Sequence, residues 1–149
     1  KFLPFNNFPK EFSNRICIIL LLFKLIAQHE DTIVGLTRSL IPLYFLPFLN
    51  LDSSIKENEQ LKLSSLNIFI SLANSDKFEV VNFFANEELL SAIIKILEKG
   101  SEISIFVANC IIKIVLSKNE ILDFICENEN LLKKVKFFWN FFNIFKFQI

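Results

Sequence analysis

One imidazole, three thiols and a scatter of carboxylates are the groups in this 149-residue chain with reactive potential. The single histidine, His29, sits in a polar stretch at a helix end, where a cation favours the helix dipole. No Cys, Asp or second His lies at ligand spacing from it, so a metal site is not expected. Cys17, Cys110 and Cys126 each fall within apolar helical runs. Such a setting gives no electropositive activation, so a Cys–His nucleophile pair is not expected either. The odd count and the absence of a CxxC pair predict buried free thiols, a reducing compartment and no disulfide framework. With only Gly35 and Gly100 in the chain, neither GxGxxG nor a P-loop can be written. Glu57, Glu59, Glu87, Glu88, Glu127 and Glu129 lie at helix edges and read as caps or solvated surface. Lys133, Lys134 and Lys136 precede Phe137-Phe138-Trp139, but a solvated helix face accounts for them. The chain is therefore not expected to be an enzyme, and no catalytic, cofactor-binding or metal-binding residue is assigned.

Composition narrows the class further. The chain is 52% hydrophobic and 21% charged, with a formal net charge of zero. It reads as a single domain able to bury a core. Strong nucleic-acid binders carry a basic excess, so direct nucleic-acid binding is not expected. The 19 Phe and the absence of Met read as codon bias rather than a base-stacking device. The missing Met also sets the expectation that Lys1 is not a translation start and that the chain is a trimmed region. No run reaches the 18 or so uncharged residues that a membrane span requires, so no membrane role is expected.

The elements that must carry these residues are helices. Two Gly and four Pro are too few for an all-β fold. Residues 1–12, with Pro4 and Pro9, read as an irregular lead-in. Ser13 is the expected N-cap of a helix to His29, and a short helix follows near Thr32–Thr37. Pro42 suits a first helical turn, whereas Pro47 should kink or end it. Asn50–Asn58 reads as loop and Glu59–Asn74 as the second long helix. Ser75 or Asp76 is expected to cap a shorter helix to about Ala85. Asn86 then caps Glu87–Lys99, and Gly100 takes a C′ position. Ser101 and Glu102 open a helix to about Ser117. Because Lys113 is its only internal charge, that helix is expected to be sandwiched between neighbours. Helices from Glu120 to Cys126 and from Asn130 onward complete the chain.

Three polar breaks punctuate these helices: Ala27-Gln28-His29-Glu30, Ala73-Asn74-Ser75-Asp76 and Leu116-Ser117-Lys118-Asn119. The intervals from Ala27 to Ala73 and from Ala73 to Leu116 are 46 and 43 positions. A helical period of 40–47 residues is the signature of armadillo and HEAT solenoids. The long, short, medium order of helices favours armadillo. The predicted fold is thus all-α, an armadillo-type helical-repeat solenoid of about three repeats with irregular or shortened ends. The repeats span residues 13–128, and 129–149 form a divergent C-terminal helix packing on the last repeat. Apolar end faces are expected, with Phe137–Phe147 as a cover or a partner interface.

Five segments carry a more specific likeness: Ser13-Asn14-Arg15-Ile16-Cys17; Leu40-Ile41-Pro42-Leu43 with Leu46-Pro47-Phe48-Leu49; Glu79-Val80-Val81-Asn82-Phe83-Phe84; Leu97 to Ser104; and Phe124-Ile125-Cys126. In order and spacing they resemble the Rcd (required for cell differentiation) family, the armadillo-repeat subunit of the CCR–NOT mRNA deadenylation complex. The resemblance covers about residues 13–128. It implies a non-catalytic scaffold or adaptor in mRNA turnover, docked on the central scaffold subunit of the complex, in the cytoplasm, the nucleus or both. It implies a groove for helical or Trp-containing peptides of RNA-associated regulators, and it leaves a homodimer open. Stacked third helices would present Gln60, Leu63, Asn67, Ser71, Ser104, Val107 and Ile111 to a partner helix. Gln60 and Asn67 stand where the family has tyrosine and glycine, and Glu129 and Leu131 where it has a pocket tyrosine and arginine. The tryptophan pocket is therefore expected to be weakened. The alternative is a generic armadillo- or HEAT-like interaction module unrelated to mRNA decay.

Overall fold

The computed structural model describes residues 8–146. Among these the regular structure is helical: α1 (Lys10–Gln28), α2 (Glu30–Arg38), a 3₁₀ turn (Ile41–Phe45), α3 (Leu46–Leu49), α4 (Lys56–Ala73), α5 (Phe78–Phe84), α6 (Glu87–Lys99), α7 (Glu102–Leu116), α8 (Asn119–Glu127) and α9 (Glu129–Lys146). No single described helix is long and apolar enough to cross a membrane.

The helices stack in three ladders. α1, α4 and α7 pack in succession, as do α2, α5 and α8, and α3, α6 and α9. Each rung advances one repeat, so α2–α3–α4 and α5–α6–α7 are successive three-helix units. Side-chain bonds between layers carry the same period. Lys77 Nζ donates to the Glu30 carbonyl and Lys118 Nζ to the Ser75 carbonyl, 47 and 43 residues away. Arg38 pairs with Glu79 at 2.7 Å, Lys95 reaches Asn50 Oδ1 at 3.3 Å, and Lys134 reaches Ser91 Oγ at 3.2 Å. These span 41, 45 and 43 residues. The polar breaks therefore sit side by side, each tied to the one before.

The core runs along α4. Leu61, Leu66, Ile68, Phe69, Leu72 and Ala73 are fully buried, because α1 and α7 cover this helix from two sides. The α7 helix is likewise packed between neighbours, against α4 and α6, but less completely than α4. The α7 helix buries Ser104, Ala108, Ile111 and Val115, while Ile103 and Phe106 are exposed.

Several helix starts differ from expectation. Ser13 lies inside α1, which begins at Lys10 after Pro9. Its side chain is fully buried and its hydroxyl lacks a hydrogen-bond partner. Pro47 opens α3 instead of ending a helix, since its missing N–H falls in the first turn. The preceding turn is reached through Leu40, whose φ of 56° is left-handed. α4 starts at Lys56, three residues earlier than the loop reading, and α5 starts after Lys77 with no side-chain cap. By contrast, Asn86 Oδ1 accepts from Leu89 N at 2.9 Å, and Ser101 caps α7 through Ser104 N.

Gly100 ends α6 with φ −78° and ψ 172°, which is ordinary extended backbone. Its glycine identity has a steric origin. A Cβ there would lie 2.6 Å from Ser104 Oγ, 2.7 Å from the Ile96 carbonyl oxygen and 2.8 Å from Ile96 Cγ2. The tight corner Lys99-Gly100-Ser101-Glu102 closes because nothing projects from position 100.

Candidate functional site

The ladder α1–α4–α7 leaves one edge of each helix uncovered. On α4 that edge carries Gln60, Leu63, Asn67 and Ser71, spaced at three to four residues as a single helix face requires. Gln60 is exposed and the other three are half-buried. Ser71 donates its hydroxyl to the Asn67 carbonyl at 2.9 Å, so it turns inward on its own helix.

On α7 the sequence reading is out by one position. Ser104 and Ile111 are fully buried and serve packing; they cannot line a groove. Val107 is half-buried at the edge. The interval of 43 residues between the second and third breaks maps Gln60, Leu63, Asn67 and Ser71 onto Ile103, Phe106, Cys110 and Ile114. None of these four is buried. The interval of 46 maps the same set onto Asn14, Cys17, Leu21 and Leu25 of α1, and again none is buried. Carrying the repeat offset from helix to helix was the signal that locates them.

The resulting strip of twelve positions carries no Asp, Glu, Lys or Arg. Its centre is polar through Gln60 and Asn67, and its flanks are apolar through Leu21, Leu25, Ile103 and Phe106.

The other sequence candidates fall elsewhere. His29 caps α2, its Nδ1 accepting from Asp31 N at 3.4 Å. The imidazole thus sits at the junction of α1 and α2, with the Asp31 carboxylate 3.8 Å from the same Nδ1. Cys17 and Cys110 are half-buried and Cys126 is exposed, so the thiols are less enclosed than expected; all three are free. Among the described residues no group of His, Cys, Asp and Glu is placed to hold a metal ion. Leu131 is fully buried in α9, and Glu129 is exposed and faces Lys133 at 3.9 Å. Phe138 is buried and Phe137 exposed. The remainder of the proposed aromatic cover, Trp139 and the side chains from 141 onward, lies outside the described residues.

Three stacked ladders with a shared period define a helical-repeat solenoid. The chain belongs to the Rcd1-like cell differentiation family, whose model matches residues 1–142. It is 37% identical over 115 residues to "Cell differentiation protein rcd1" of Schizosaccharomyces pombe, covering 77% of this chain and 41% of that protein. It is 33% identical over 114 residues to "Protein CAF40" of Saccharomyces cerevisiae, covering 76% of this chain and 31% of that protein. The chain thus spans less than half the length of these relatives.

Proposed function

We propose that this chain is a non-catalytic scaffold or adaptor segment of the CCR–NOT mRNA deadenylation complex, acting where that complex acts, in the cytoplasm or nucleus. Family membership supports the complex. The observation that carries the scaffold role is the uncharged strip across α1, α4 and α7. An amphipathic helix laid on it would bury its apolar face against Leu63, Ile103 and Phe106 while meeting Gln60 and Asn67 at the centre. The test has two arms. Co-precipitation of the full chain with the central scaffold subunit examines membership, and recovery of none of that subunit under mild salt overturns it. Asn67→Arg examines the strip: it places an unpaired charge at the centre of the interface. Loss of partner helices with an unchanged Tm is expected, and retained binding refutes the strip as the docking face.

A second reading is a repeat module that has exchanged its partners. It is favoured by the burial of Leu131 and the exposure of Glu129, which leave no aromatic wall or cation at the positions of the family's tryptophan pocket. A source genome that encodes no central scaffold subunit would support this second reading over the first.

A further inference from the structure

Lys62 is the anomaly of α4. It is 4% exposed on a helix whose other buried positions are mostly apolar, and lysine is rarely buried without an ionic partner. Its ammonium donates to Ser53 Oγ at 2.6 Å, which occupies one of three protons. Asp52 and Glu59 attract it through space, but burial is the larger effect and holds the ammonium below its usual range. Among the described residues no carboxylate forms an ion pair with it.

The surroundings of Lys62 explain what such a charge is suited to. It lines a recess of about 300 Å³ with Lys95 and Lys99 of α6, and with Asn50, Asp52 and Ser53 of the α3–α4 loop. Lys95 touches Asn50 Oδ1 at 3.3 Å. Three lysines line the recess with one carboxylate, Asp52, whose Oδ1 accepts from Ser54 N at 2.9 Å, so positive charge is in excess along the lining even with Asp52 ionised. Leu49, Leu51 and Ile96 supply apolar wall. A concave site with excess positive charge and a low-dielectric wall concentrates anions. None of the twelve strip residues lines it, so the site stands independently of the proposed groove.

We propose that this recess binds an oxyanion of the phosphate type, with Lys62 at its base and Lys95 and Lys99 at its rim. The group can come from free phosphate or from a phosphorylated side chain of a partner polypeptide. Titration of the full chain with sodium phosphate at constant ionic strength, followed by backbone amide shifts, tests the site. Saturable shifts confined to Ser53, Ser54, Ile96 and Lys99, with a Kd on the order of 1 mM, are expected. Lys62→Met should abolish them. Lys95→Gln with Lys99→Gln, both exposed, should weaken them about threefold or more with the fold intact. N-acetyl-phosphoserine amide as a second probe distinguishes the sources: tighter binding than phosphate assigns the site to a polypeptide, and equal binding assigns it to the bare group. Absence of saturable shifts with both probes overturns the proposal, as does an unaltered titration in Lys62→Met.

Discussion

Replacing Gly100 with alanine separates two explanations for one residue. If a left-handed C′ conformation required glycine, the penalty would come from φ. The observed φ of −78° is open to any residue, so the penalty must come from crowding. The added Cβ meets Ser104 Oγ, the Ile96 carbonyl oxygen and Ile96 Cγ2 at 2.6–2.8 Å. Two of these contacts are to Ile96, which is packed in α6 and is 3% exposed, so the corner must open. Overpacking of this kind costs about 1–3 kcal/mol. The stiffer unfolded chain returns about 0.4–1 kcal/mol. A net loss of about 1–2 kcal/mol should lower Tm by roughly 2–8 °C in a domain of this size. Gly100→Asn sharpens the comparison. Asparagine tolerates the left-handed region better than alanine, yet it is larger. Crowding predicts that Asn is at least as damaging as Ala. Thermal unfolding followed by far-UV circular dichroism decides between them, and Asn proving milder than Ala would refute the steric argument.

Three further outcomes are expected. Asn86→Ala removes the Leu89 cap and should cost about 1 kcal/mol in urea unfolding, whereas Ser75→Ala, whose hydroxyl reaches only Lys77 N at 3.3 Å, should cost less than about 0.5 kcal/mol. Ser13→Ala deletes a buried hydroxyl without a partner and should leave Tm unchanged or raise it; a fall of several degrees would show that the hydroxyl is satisfied. The Glu79 carboxyl is held below its usual range by its own backbone N–H first and by Arg38 second. Its stabilising effect is therefore present above the unfolded carboxylate pKa and lost as pH falls through the lower folded value. Urea midpoints of wild type and Arg38→Ala should converge below about pH 4, and a gap that persists at pH 2.5 would contradict the pairing.

The fold was legible because its signals are local and repeated. Asn86 and Ser101 cap helices as their types predict, and the polar breaks mark the repeat corners. Starts without a polar cap were not legible. α1 begins after Pro9 and α5 after Lys77, where tertiary packing and not a side chain sets the boundary. The strip was half legible. Its α4 residues follow from helical spacing, but α7 is apolar nearly all round, with Lys113 its only internal charge, so composition alone cannot tell Ser104 and Ile111, which face inward, from Ile103 and Cys110, which do not. Only the three-dimensional register, or the 43-residue offset applied strictly, separates them. The role of Gly100 was hidden for a related reason, since its constraint lies in atoms of Ile96 and Ser104 and not in its own backbone angles.

The ladders also govern how the molecule comes apart. In a stack whose units touch only adjacent units, opening travels inward from the ends. α4 is the helix flanked on both sides within its ladder, with six fully buried apolar residues, while α1 turns Ile18, Leu22 and Leu25 outward at 54–61% exposure. Amide hydrogen exchange should therefore be slowest in α4 and faster toward α1 and α8, a gradient along the chain rather than a single global rate. The same helix that presents Gln60 and Asn67 is thus the last to lose its shape, so local opening in α1 or α8 leaves the middle of the proposed strip standing.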